Sequence, residues 1–177
     1  MSSDQFARDL ETLAQVSREL TATRELVEVI ARMAVAARRF FGVRRVAVFL
    51  RDPLADTLAC VASAADDGPT GWVGRVLPAG VGVAGRAVTE GRPVWSRDLS
   101  TDSRIPVADW LRERLAAEGL RSVAAAPLVA DGETLGALGL LDGPGRIFSE
   151  TDLQLLGVLA GHGAMAVREA RRAERPG

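Results

Sequence analysis

Three glycines raise the first chemical question. Gly80-Val-Gly82-Val-Ala-Gly85 has the spacing of the dinucleotide fingerprint GxGxxG, whose backbone N–H groups cradle a pyrophosphate at a helix N-terminus. That motif needs a buried parallel strand before it and a crossover helix behind it. Here Pro78 precedes the run, and Gly91-Arg92-Pro93 ends the following helix early. A structural use for the glycines, close backbone approach and open φ/ψ, takes precedence.

His162 and Cys60 are the sole histidine and the sole cysteine. His162 lies on a terminal helical stripe with Leu155, Leu159 and Ala166. A zinc site needs three or four ligands and a haem needs supporting partners, and no such cluster surrounds it in sequence. It reads as a helix-face or interface residue. Cys60 alternates within the apolar run Leu58-Ala-Cys-Val-Ala62, where a free cysteine behaves as a small hydrophobe. Serines are plentiful, but no motif links one to His162 as a general base. Asp98, Asp102, Arg97 and Arg104 form a charged cluster. Its two readings are Asx-turn and ion-pair chemistry that orders a loop, and ligand contact. Trp72, Trp95 and Trp110 all fall within 64–121. An indole offers a flat apolar surface and one N–H donor, suited to a ligand pocket or to the core of a small lid.

These residues need elements to position them. A first helical segment carries Phe6, Leu10, Leu13 and Leu20 in a narrow coiled-coil-like stripe. A break at Thr21-Ala22-Thr23, with Thr23 as N-cap, leads into a second helix. That helix has Leu26, Val29, Ile30, Met33, Ala37 and Phe40 on one face, and Gly42 ends it. Val46–Leu50 and Leu58–Ala62 read as a hairpin around Asp52-Pro53, and Ser122–Val129 and Glu133–Leu141 as a second one around Asp131-Gly132. Between the hairpins, 64–121 is irregular, with a short helical piece near 107–118. Ser149 and Asp152 form a capping box, with Phe148 stapled to Leu153. The helix they open repeats Leu153, Leu156, Ala160, Gly163, Val167 and Ala170 in a three–four rhythm suited to a close helix–helix seam.

Composition bounds the rest. The chain has 177 residues, 47% hydrophobic and 25% charged, which suits one globular domain. Its formal net charge is -1, so no whole-domain field recruits nucleic acid or an anionic membrane. Every one of its 22 basic residues is arginine, which fits a GC-rich bacterial genome. The charged N-terminus and the lack of a long apolar run predict a cytoplasmic protein. A single cysteine fits a reducing compartment.

The order of motifs resembles the GAF family of signalling modules, over roughly residues 24–172. The matching segments are Leu77-Pro78-Ala79-Gly80-Val-Gly82-Val-Ala-Gly85-Arg86-Ala87-Val88, Glu90-Gly91-Arg92-Pro93-Val94, Asp98 and Asp102-Ser-Arg104. Leu120-Arg121-Ser122-Val123, Pro127-Leu128, Gly136-Ala137-Leu138 and Phe148-Ser149-Glu150-Thr151-Asp152-Leu153 complete the set. The resemblance implies an α+β, PAS-like fold. Its antiparallel sheet of five or six strands has the N- and C-terminal helices on one face and a pocket roof on the other. Residues 1–22 become an N-terminal dimerisation helix and 23–173 the GAF domain.

The candidate ligand-binding residues are Trp72, Trp95, Arg97, Asp98, Arg104, Trp110 and Val123, with no catalytic or metal-binding residue. Some relatives attach a bilin through Cys followed by His, whereas Val61 follows Cys60. Cyclic-nucleotide-binding relatives carry an Asn–Lys–Phe–Asp–Glu signature, and this chain has no lysine. Relatives that reduce free methionine sulfoxide use several cysteines. The expected function is a non-catalytic sensory module that binds a small molecule and relays its state through terminal helices of a homodimer to an output such as two-component or transcription regulation. The alternatives are a ligand-free dimerisation module and, behind it, a haem sensor or a methionine sulfoxide reductase-like enzyme.

Overall fold

The computed structural model describes residues 3–8, 11, 26–66 and 71–174. Residues 3–8 are helical, and from residue 26 on the described elements follow in this order: α1 (Leu26–Phe41), β1 (Arg45–Asp52), β2 (Thr57–Ala65), β3 (Val76–Pro78), α2 (Gly82–Glu90), β4 (Val94–Ser96), α3 (Asp109–Glu118), β5 (Ser122–Ala130), β6 (Glu133–Asp142) and α4 (Glu150–Glu174). The strands form one antiparallel sheet in the order β3-β2-β1-β6-β5-β4.

Local chemistry accounts for the boundaries. Gly42, at φ +63°, closes α1 through its N–H on the Arg38 carbonyl at 2.9 Å. Asp131 and Gly132 both take positive φ at the β5–β6 turn, as a tight two-residue hairpin requires. The capping box forms as the sequence predicts. The Ser149 Oγ accepts from the Asp152 N–H at 3.1 Å, and the Asp152 carboxylate accepts from the Ser149 N–H at 2.9 Å.

Both faces of the sheet are buried. Val46, Val48, Ala124, Ala126, Leu138 and Leu140 pack under α1 and α4, while Ala47, Phe49, Val123, Ala125 and Ala137 face the other layer. Two bulges break the alternation, at Val48/Phe49 on the β1–β2 pair and at Leu128/Val129 on the β5–β6 pair. An extra residue in one strand reverses which side its neighbours face. Cys60 therefore lies on the far layer and Ala62 under the helices. At Gly136 a Cβ would collide with the Phe49 carbonyl oxygen. The neighbouring strand's own backbone uses the space this glycine leaves.

The small-residue seam of α4 is occupied within the chain. Leu156, Ala160, Val167 and Ala170 are fully buried, and a Cβ on Gly163 would collide with the Met33 sulfur of α1. The sequence assigns this stripe to a close helix–helix seam; in the structure its residues meet α1 and the sheet of the same chain. The outward side chains are Val27 and Val35 on α1 and Val158 and Met165 on α4. Phe6 stands edge-on to Phe40, with ring centroids 4.8 Å apart. Leu10, Leu13, Leu20 and the break at Thr21-Ala22-Thr23 lie outside the described residues.

Candidate ligand-binding site

The layer opposite the helices is assembled from the 71–75 turn, α2, the 97–108 loop and α3. Its glycine-rich entry follows from backbone geometry. Gly80 and Gly82 take φ of +77° and +73°, conformations that side chains disfavour. A Cβ on Gly85 would come within 3.1 Å of the Gly80 backbone. The Gly82 N–H donates to the Pro106 carbonyl at 2.7 Å, which ties α2 to the loop. The motif is spent on packing a buried helix start, which explains its likeness to a dinucleotide fingerprint without that motif's crossover.

Between this roof and the sheet lies an apolar cavity of about 20 Å³. Phe49, Val123 and Leu141 form its floor, and Trp72, Val83 and Leu111 its ceiling. That space matches about one water molecule, and its walls offer almost no polar atom to hold one. As the structure stands, the cavity is closed.

Polar fastenings hold the roof shut. Arg45, only 1% exposed, starts β1 and faces Glu118 at the end of α3, with Nε to Oε1 at 2.6 Å. Its Nη1 donates to the Ser63 Oγ at 2.6 Å, and its guanidinium lies 5.4 Å from the Trp72 ring centre. The Trp72 indole N–H donates to the second Glu118 oxygen at 2.6 Å. Trp110 stands edge-on to Trp72 at 5.7 Å and donates to the Val76 carbonyl at 2.8 Å. One carboxylate thus joins a strand, a roof tryptophan and a roof helix. Removing that carboxylate leaves the buried indole N–H without its acceptor, which is costly.

The seven candidate pocket residues divide by position. Trp72 and Val123 line the cavity, and Trp110 buttresses Trp72 from behind. Trp95 points the other way. On the short strand β4, Val94 packs with the roof layer and Trp95 with the helix-side core, 6.4 Å from Phe148. The sequence places it in the roof, but strand alternation sends it through to the opposite face. Arg97 is exposed at the end of that strand.

Asp98 and Arg104 order the loop. The Asp98 carboxylate accepts from the Ser100 N–H at 3.0 Å and from Arg121 at 3.3 Å. The Ser100 hydroxyl and N–H, with Arg121 beyond them, hold its carboxyl below the usual carboxylate range. Asp102 accepts from Arg104 Nε at 2.9 Å, Arg104 Nη2 at 2.7 Å and the Ser96 hydroxyl at 2.7 Å. Arg104 above all, then Ser96, depresses its carboxyl strongly. These are Asx-turn geometries closed by ion pairs.

His162 is exposed on α4, on the far side of the sheet from Cys60. Cys60 is 1% exposed, and burial pushes its thiol from 9.0 up to about 12. Among the described residues no group of His, Cys, Asp or Glu is arranged to hold a metal ion. None of their helices is long and apolar enough to cross a membrane.

Sequence reasoning missed the Arg45–Glu118–Trp72 fastening. Its one available signal is a charged residue at the head of an otherwise apolar strand.

Comparison with known proteins agrees with this architecture. The GAF domain family model matches residues 25–167, and the chain belongs to that family. No curated protein matches it. Among solved structures, the GAF domain of a phosphoenolpyruvate-protein phosphotransferase from Coxiella burnetii superposes with a TM-score of 0.80 at 19% identity, covering 97% of this chain and 98% of that one. A free methionine-R-sulfoxide reductase from Neisseria meningitidis, solved with its substrate, gives 0.78 at 24% identity, covering 98% and 95%. The phycocyanobilin-bound GAF domain of a cyanobacterial phytochrome gives 0.74 at 20%, covering 99% and 100%. At these identities the likeness establishes the fold.

Proposed function

We propose that the chain is a non-catalytic sensory module that admits a small, largely apolar molecule between sheet and roof and relays its presence through α1 and α4. The observation that carries this reading is the apolar cavity closed by discrete polar fastenings. A ligand that fits the opened roof better than the closed one shifts the population between them, as a signal requires. A homodimer through the outward faces of α1 and α4 would receive that shift, with Val27, Val35, Val158 and Met165 as its apolar contacts.

Cys60 supports the non-enzymatic reading. Thiol reduction of a sulfoxide ends in a disulfide, and the chain has one cysteine. Its buried thiol is held protonated, and the reactive form is the thiolate. The small volume of the closed cavity favours a second reading, a ligand-free structural module.

Native mass spectrometry of freshly purified protein separates these readings. A non-covalent small-molecule adduct that Ala125→Leu removes supports the sensor. An adduct that persists in the folded variant, or turnover of free methionine sulfoxide by the wild type, overturns it.

A further inference from the structure

A second concavity lies beside residues 112–116 of α3. It encloses about 90 Å³ between α3 and the loop that follows β4. Its floor is apolar and buried, made by Leu99, Leu115 and Leu120, which are 2%, 3% and 1% exposed. Its rim is exposed and carries the guanidiniums of Arg112 and Arg121 with the Ser100 hydroxyl. No acidic residue belongs to its lining among the described residues.

The two arginines differ in their commitments. Arg121 Nη1 donates to Ser100 Oγ at 2.8 Å and to Asp98 Oδ2 at 3.3 Å. This leaves it anchored, with further N–H donors to offer. The Asp98 carboxylate is occupied, with one oxygen on Ser100 and the other on Arg121. The Arg112 side chain meets no hydrogen-bonding or ion-pair partner among the described residues. One guanidinium is therefore fixed and one is free at the mouth of a greasy hollow. A planar fork of donors matches a carboxylate in two parallel charge-assisted hydrogen bonds. The leucine floor takes a short branched hydrocarbon, and the volume excludes a long chain.

We propose that this cleft is a second binding site, specific for a small carboxylate with a short branched apolar tail, its head on Arg112 and Arg121 and its tail on Leu99, Leu115 and Leu120. The site is separate from the cavity under the roof, yet Leu99 lines both. Filling the outer cleft presses on a wall of the inner one, so the two sites share a side chain through which occupancy of one bears on the other.

Isovalerate and its neutral amide, isovaleramide, are the probes, titrated into the full chain and followed by NMR amide shifts. The expected result is saturable binding of isovalerate on the order of 1 mM, with shifts centred on Ser100, Leu115 and Ala116. Isovaleramide should bind at least about tenfold more weakly, as loss of a charge-assisted pair implies. Arg112→Gln, at an exposed side chain, should weaken isovalerate by a similar factor, and Ala116→Phe, which plugs the cleft from the exposed side of α3, should abolish binding.

Four outcomes overturn the proposal: no saturation by about 20 mM, equal binding of acid and amide, an unchanged response in Arg112→Gln, or shifts centred on Val83 and Ala125 of the inner cavity. Should Ala116→Phe fail to fold, the amide comparison and Arg112→Gln decide it.

Discussion

The two faces of the sheet are both buried, yet they are held in different ways. On the helix side, α1 and α4 lie along the strands in one continuous apolar core, from Met33 and Phe40 through Leu138 and Leu140 to Leu156 and Val167. On the roof side an apolar cluster of similar residue types is pinned at its margins. Its pins are Glu118 on Arg45 and Trp72, Trp110 on the Val76 carbonyl, Ser96 and Arg104 on Asp102, and the Gly82 N–H on the Pro106 carbonyl. Opening an apolar interface costs free energy in proportion to the area it exposes. A polar pin can exchange its partner for water at small net cost once water reaches it. The proposed function makes the helix side the fixed face and the roof the face that yields.

The strongest test strikes the sheet that both faces share. Gly136→Val drives a Cβ into the Phe49 carbonyl, and backbone cannot move aside as a flexible side chain can. The variant should lose more than about 4 kcal/mol and fail to yield folded protein, read by near-UV circular dichroism. Next, Glu118→Ala removes the acceptor of the Trp72 indole and one partner of Arg45. Losing both bonds should cost about 3 kcal/mol in chemical denaturation, while Glu118→Gln, which keeps the indole's acceptor, should cost less.

A matched pair of truncations sharpens the contrast. Leu156→Ala in the helix-side core should cost about 3–4 kcal/mol. Leu111→Ala in the roof should cost about 2 kcal/mol, because the roof can settle into the space. Equal losses would erase the distinction.

These effects also bear on what the sequence made legible. Helix α1 with its Gly42 stop, both hairpins and the Ser149–Asp152 box were all readable, because each depends on neighbours close in the chain. The order of motifs carried the family. The faces were harder to read. Alternation identifies a core side only when the other side is polar, and here both sides are apolar. Reading through the bulges at Val48/Phe49 and Leu128/Val129 needs the partner strand. Trp95 lies on a three-residue strand whose two sides are both apolar, so its layer could not be read from alternation. The seam on α4 was visible as a stripe of small residues, but its partner, Met33 of the same chain, was not. The Glu118 fastening joins residues 73 positions apart, beyond the reach of any local pattern.

Two smaller effects complete the series. Ser149→Ala removes the cap of α4 and should cost about 1 kcal/mol, seen as a modest fall in the thermal midpoint. Asp102 sets a pH dependence that belongs to the roof alone. Its folded carboxyl ionises well below the ordinary 3.8. Its contribution is therefore complete above that value and is lost as pH falls through the folded one. In an acid titration the tryptophan fluorescence of Trp72 and Trp110 should change before the helical circular dichroism does. In Asp102→Asn that early step should shrink to the part that Asp98 sets.

Native-state hydrogen exchange tests the division between the faces most directly, because it assigns an opening free energy to each amide. The account predicts that the amides of α3 exchange through a partial opening of lower free energy, while those of β5, β6 and α4 exchange only with global unfolding. A single common free energy across α3, β5, β6 and α4 would contradict it, since a roof as fixed as the helix side could not open for a ligand.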